Sequence, residues 1–165
     1  MKFDRVLVPL DGPWLAEKAL PEAMALLSER SGATLMLMRA AQATARVPWV
    51  DSIEAQIEAV GEAERYLKHV ADRVRDEAPD RTVTTSVWYG PPARAIVDAA
   101  ESRDAQLIVM STHGRTGWRR MMLGSVAESV LRATTTPVLL VPADGGQVPR
   151  WSAPVFTHDE EAVGV

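Results

Sequence analysis

The sequence predicts a doubly wound α/β domain in which helices cover both faces of a parallel sheet. Five short apolar runs alternate with longer segments of helical periodicity, which gives the order β-α-β-α-β-α-β-α-β. Runs without polar alternation are typical of parallel strands that are buried on both faces. The third run alternates more than the others and therefore predicts an edge strand. The predicted strands are residues 5–9, 34–38, 83–88, 107–110 and 138–141.

The first helix is expected to begin at Gly12-Pro13, because proline is tolerated where the first amides of a helix have no partner. We expect a single helix that bends at Pro21, which removes one backbone hydrogen bond, and that ends at Gly32 in a left-handed cap. Its apolar face consists of Ala16, Ala19, Leu20, Ala23 and Leu26.

The second helix is predicted to be the longest, at about 26 residues from Asp51 or Ser52. A short third helix follows Gly90-Pro91-Pro92 and ends near Arg103, and a fourth covers about residues 125–133. The buried face of the second helix is predicted to contain Ile57, Val60, Leu67, Val70 and Val74.

The chain has 165 residues, of which 47% are hydrophobic, and this favours one compact domain. Its 22 acidic residues outnumber its 18 Lys and Arg, which argues against partners such as nucleic acid or an anionic membrane. Strand and helix periodicity is lost after residue 142. We therefore predict a domain over residues 1–142 and a flexible acidic tail over residues 143–165.

The chain contains no cysteine, which excludes disulfides, thiolate nucleophiles and Cys-ligated zinc. The first apolar run stops at Asp11, too early for a signal peptide or a membrane span, so we expect a soluble cytoplasmic protein. The three histidines lack metal-ligand spacing, and no nucleophile elbow presents Ser111. Neither a metal site nor a catalytic residue is predicted.

In an open parallel sheet, ligands bind beyond the carboxyl ends of the strands, at the point where the winding direction switches. Three loops are expected there: residues 9–12, residues 39–41 and residues 111–125. In the third loop, Gly114 and Gly117 let the backbone amides turn inward, and Gly124-Ser125 lies at a helix N-terminus that suits a phosphate. The alternative is a capping box, in which Ser125 caps the helix and Glu128 returns the hydrogen bond.

These residues resemble the universal stress protein family, and most closely its ATP-binding branch, along residues 3–142. The resemblance rests on Val8-Pro9-Leu10-Asp11-Gly12, on Ala19-Leu20-Pro21, on Gly90-Pro91-Pro92-Ala93 and on the loop after the fourth strand. That branch has the motif G-x2-G-x9-G-[ST]. Its second and third glycines match Gly114 and Gly124, Ser125 follows, and Ser111 replaces the first glycine.

The resemblance implies an adenine nucleotide alpha hydrolase-like sheet with the strand order 3-2-1-4-5, and bound ATP, with or without Mg. Asp11 and Ala40 would contact the adenine side, Ser111 and Gly114 the ribose and phosphates, and Ser125 and Val126 the phosphates. It also implies a homodimer paired through residues 138–141. The remaining residues implied for the nucleotide site are Pro9, Leu10, Met110, His113, Arg115, Thr116, Gly117, Gly124 and Ala127.

Three functions follow from this interpretation. The first is an ATP-binding stress-response module whose nucleotide state modulates contacts with a protein partner that the sequence does not identify. The second is a nucleotide-free interaction or chaperone-like stress protein of the same fold, in which Ser111 and the capping box are only structural. The third is an ATPase. Its turnover is expected to be slow, because no general base is evident near the proposed phosphates.

Overall fold

A sheet of five parallel strands forms the centre of the protein, and its order confirms the predicted fold class. The computed structural model describes residues 2–12, 16–41, 52–112 and 124–142. The strands lie in the order β3-β2-β1-β4-β5, so the chain winds outward in both directions from β1. Their bounds are β1 Arg5–Pro9, β2 Thr34–Ala41, β3 Thr82–Tyr89, β4 Leu107–Thr112 and β5 Val138–Pro142.

Helices cover both faces of the sheet, and alternate strand residues point to each face. Their bounds are α1 Ala19–Leu26, α2 Ser52–Glu77, α3 Pro92–Ser102 and α4 Ser125–Ala133. Helices α1 and α2 pack on one face, where Val6, Val8 and Leu37 are buried. Helices α3 and α4 pack on the other face, over Leu7 and Ile108.

The prediction for the first helix is wrong at its C-terminal end, and Pro13 at its predicted start lies outside the described residues. A 3-10 turn, Ala16–Lys18, runs directly into α1, which ends at Leu26, and the cap residue Leu27 is extended. Pro21 therefore lies in the first turn of α1, where its missing amide leaves no hydrogen bond broken. Gly32 does have a positive φ of 92°, but it forms the turn before β2 and does not cap α1.

Helix α2 has the predicted length, but its buried face is shorter than predicted. Leu67, Val70 and Val74 are fully buried, whereas Ile57 is 67% exposed. A helix of 26 residues spans about 39 Å, while the eight-residue strand β2 spans about 26 Å. The first turns of α2 therefore extend past the sheet that they were expected to cover.

Strands β2 and β4 continue furthest past their predicted ends, because a neighbouring strand pairs with the added residues. β2 reaches Ala41, which pairs with Tyr89, and β4 reaches Thr112, which pairs with Pro142. β3 is an edge strand, as its alternating sequence predicts.

Candidate functional site

The winding direction of the sheet switches between β1 and β4, and the two strands part there. They pair only at Val6 with Leu107 and at Leu7 with Ile108, although β1 continues to Pro9 and β4 to Thr112. β1 pairs with β2 along its whole length. The carboxyl ends of β1 and β4 thus border a crevice at the switch point, where ligands of doubly wound sheets bind.

Asp11 lies just beyond the end of β1, between two residues whose backbones are held in place. The Leu10 amide donates to the carbonyl oxygen of Met38 in β2 over 2.8 Å, and the Leu10 side chain is buried. The carbonyl oxygen of Gly12 accepts from the Tyr66 hydroxyl of α2 over 2.7 Å. The Asp11 side chain itself is exposed. An exposed carboxylate on a doubly anchored loop can accept hydrogen bonds from a ligand at the crevice.

Ala40 lies near the carboxyl end of β2, and its side chain is half-buried on the face that α3 and α4 cover. Trp88 is its register partner on β3 and packs on the same face. A ligand at Ala40 would therefore have an indole ring beside it. Only the strand register reveals this position of Trp88.

Met110 and Ser111 belong to β4, and both are buried. The prediction that Ser111 opens a loop is therefore wrong, because β4 continues to Thr112 and Ser111 pairs with Val141 of β5. Its side chain stands in a packed strand beside the crevice. His113, Gly114, Arg115, Thr116 and Gly117 lie outside the described residues.

The N-terminus of α4 lies at the same edge of the sheet, because α4 returns the chain to the start of β5. Gly124 is the cap residue, with φ −56° and ψ 149°, so it has no side chain to bond the first amides. Among the described residues, no atom lies within 4 Å of the position where a Cβ would be added at Gly124. Its φ does not require glycine. The dipole of α4 favours an anion in front of the helix.

The capping-box alternative for Ser125 is wrong. Ser125 is the first residue of α4, one position past the cap, and it is exposed. The Glu128 carboxylate accepts from Arg132 over 2.8 Å instead of returning to the cap. Val126 and Ala127 complete the first turn, with Ala127 buried against the sheet.

A polar cluster that the sequence interpretation missed lies on the other side of the β1 loop. The Tyr66 hydroxyl is 3.0 Å from Oε1 of Glu17, and Arg73 forms an ion pair with the same carboxylate. The Arg39 guanidinium lies 5.1 Å from the centroid of the Tyr66 ring and pairs with Glu62 over 3.0 Å. Burial raises the pKa of Tyr66 far above its usual value, and the Glu17 charge raises this pKa further.

Neither a metal-binding cluster nor a membrane-spanning helix is seen in the part of the chain that the structure describes. None of its groups of His, Asp and Glu side chains is arranged to hold a metal ion. None of its helices has both the length and the apolar character that crossing a bilayer requires.

Comparison with known proteins agrees with the fold and names a family. The model of the universal stress protein family matches residues 2–142. A universal stress protein of Bacillus subtilis is 30% identical over 152 residues, which cover 84% of this chain and 99% of that protein.

Two solved structures share the fold. One, a universal stress protein in complex with cAMP, has a TM-score of 0.62 and 24% identity, with coverage of 86% of this chain and 98% of that one. The other, a universal stress protein from Archaeoglobus fulgidus in complex with dAMP, has a TM-score of 0.58 and 21% identity, with coverage of 85% and 98%. From the family match and the Bacillus relative, we conclude that the chain belongs to the universal stress protein family.

Proposed function

We propose that this protein is a cytoplasmic adenine-nucleotide-binding module of the stress response, that its ligand is ATP, and that the nucleotide state modulates contacts with a protein partner. The observation that carries the proposal is the N-terminus of α4, whose cap residue Gly124 supplies no side chain, beside the crevice between β1 and β4. Amides at a helix N-terminus bind phosphate oxygens, and ligands of doubly wound sheets bind in such a crevice. The cAMP and dAMP complexes of the two fold relatives support an adenine nucleotide.

The residues at the crevice fit such a ligand. Asp11 and Ala40, with Pro9 and Leu10 behind them, would hold the adenine side. Met110 and Ser111 would lie along the ribose. The first turn of α4, residues 124–127, would hold the phosphates by backbone amides and by the Ser125 hydroxyl. Mg belongs to the proposal only as a counterion that ATP brings with it.

Hydrolysis, if it occurs, is expected to be slow. Glu128 is the acidic residue in the first turn of α4, and it is paired with Arg132. A paired carboxylate is a poor general base. We expect fewer than about one turnover per second, which is the low end of ordinary enzyme rates.

The test begins with nucleotide released on denaturing freshly purified protein and identified by mass, followed by calorimetric titration with ATP. Asp11→Ala should raise the Kd for ATP about 10- to 100-fold, since hydrogen bonds to charged groups are among the stronger ones. Asp76→Ala is the matched control, because Asp76 is exposed near the end of α2, at the opposite edge of the sheet. Absence of both retained nucleotide and ATP binding at millimolar concentration would overturn the proposal.

The position of Ser111 favours the nucleotide-free stress protein as the second candidate. Its side chain occupies a buried strand position where the family motif has glycine. Ser111→Gly should tighten ATP binding if the side chain limits close approach of the ligand. It should also lower the free energy of unfolding by about 0.5–1 kcal/mol, the usual cost of glycine in a strand. If neither form binds ATP, the nucleotide-free function is the better account.

A homodimer through β5 completes the proposal. β5 is an edge strand, and Val138, Leu139, Leu140 and Val141 are all half-buried. An apolar edge strand is a natural surface for pairing with a second copy. The flexible acidic tail predicted over residues 143–165 lies outside the described residues.

A further inference from the structure

Tyr66 joins the middle of α2 to the loop after β1 across 54 positions of sequence. Its hydroxyl lies 2.7 Å from the Gly12 carbonyl oxygen and 3.0 Å from Oε1 of Glu17. A tyrosine hydroxyl has a single proton, so it can donate to only one of these two acceptors at a time. Movement of Gly12 away from Tyr66 would leave Glu17 as the alternative acceptor.

The ring of Tyr66 is held in place independently of the loop. Arg39 lies over one face of the ring, with its guanidinium 5.1 Å from the centroid, a distance within the range of cation–π contacts. Arg39 is itself paired with Glu62 of α2, and Glu17 is paired with Arg73. These contacts hold the Tyr66 side chain in place. Its hydroxyl is therefore a fixed donor, and the hydrogen bond to Gly12 restrains the loop.

Gly12 needs such a restraint. Its φ is +154°, a conformation that other residues rarely adopt, and glycine has more conformational freedom than any other residue. The backbone at Leu10 is bonded to β2, and the backbone at Gly12 is bonded to Tyr66. Asp11 lies between these two residues, just beyond the end of β1, so its backbone is restrained on both sides.

We propose that Tyr66 is a positioning residue, whose hydroxyl holds the loop of residues 10–12 so that Asp11 meets the adenine side of the bound nucleotide. This inference rests on the proposed function. It adds that nucleotide affinity depends on α2, a helix from which the proposed site takes no residue. Tyr66 acts on the base and not on the phosphates.

The test compares Tyr66→Phe, which keeps the ring under Arg39 and removes the hydroxyl, with the wild-type protein. Tyr89→Phe is the matched control, because Tyr89 is the other of the two tyrosines and is 53% exposed on β3. In the nucleotide-free protein, amide hydrogen exchange over residues 10–18 should become faster in Tyr66→Phe alone. The Kd for ATP and the Kd for adenosine should both rise about three- to tenfold, as expected for one lost hydrogen bond. The Kd for tripolyphosphate should not change.

The outcomes separate this inference from the proposed function. Unchanged exchange over residues 10–18 would overturn the anchoring role of Tyr66, whatever the protein binds. Faster exchange with unchanged affinity for ATP and adenosine would overturn positioning and leave nucleotide binding intact. A rise in the Kd for tripolyphosphate equal to that for adenosine would also overturn positioning by Tyr66, because a general loss of structure affects both ends of the ligand. Failure of the wild-type protein to bind any of the three would overturn both proposals.

Discussion

At the scale of single residues, we expect Tyr66 to make the free energy of unfolding sensitive to alkaline pH. Burial raises the pKa of its hydroxyl, the charge and hydrogen bond of Glu17 raise it further, and Arg39 and Arg73 lower it by less. An unfolded tyrosine ionises near pH 10. Above that pH the unfolded chain has lost a proton that the folded protein retains, so the free energy of unfolding should fall as the pH rises.

The contribution of Tyr66 to this slope is at most about 1.4 kcal/mol per pH unit, the value for one proton. Urea unfolding between pH 8 and 11 measures the slope, and Tyr66→Phe should show a shallower one than the wild-type protein. Tyr89→Phe should keep the wild-type slope above pH 10. The same pH dependence in wild type and Tyr66→Phe would contradict this account of the Tyr66 environment.

At the scale of elements, the position of Ser125 in α4 allows a structural role of this residue to be distinguished from a ligand role. A serine that caps a helix contributes about 0.5–2 kcal/mol, but the cap of α4 is Gly124. Ser125→Ala should therefore change the free energy of unfolding by less than about 0.5 kcal/mol, as an exposed substitution does. The same variant should weaken ATP binding measurably.

Ser129→Ala is the control within the same helix, because the Ser129 hydroxyl donates to the Ser125 carbonyl oxygen and is exposed on the second turn. Chemical denaturation of the two variants gives their free energies of unfolding, and calorimetric titration gives their Kd for ATP. If Ser125→Ala lowers the free energy of unfolding by more than about 1 kcal/mol and leaves ATP binding unchanged, Ser125 has a capping role and not a ligand role.

At the scale of the whole molecule, the two edges of the sheet differ in character. β5 presents four half-buried apolar residues, whereas β3 exposes Thr82 and Thr85. Leu140→Lys should convert the proposed dimer to a monomer, because a charge on an apolar edge opposes pairing. Thr85→Lys, on the opposite edge, should leave the dimer intact.

Sedimentation velocity measures the assembly of both variants, and near-UV circular dichroism checks that each remains folded. A folded Leu140→Lys protein that sediments as the wild type does would exclude β5 as the interface. A wild-type protein that is monomeric at tens of micromolar would exclude the dimer itself.

The sequence by itself determined the elements, because their signals are local. Apolar runs mark β1 and β5 within one residue, helical spacing gives the length of α2, and the polar alternation of β3 identifies an edge. The strand order came from the resemblance. Asp11 and Ala40 could be placed at the ligand edge because each follows or ends a predicted strand in a sheet where such ends meet.

The tertiary structure alone decided which distant residues meet. Tyr66 touches Gly12 across 54 positions, and Trp88 lies beside Ala40 only because β2 and β3 pair in one particular register. The tertiary structure also ended α1 early, where the chain turns to enter β2, and exposed Ile57, where α2 extends past the sheet. Local patterns reflect the period of a helix or strand, whereas these contacts depend on the lengths and registers of elements that pack together, which no single segment encodes.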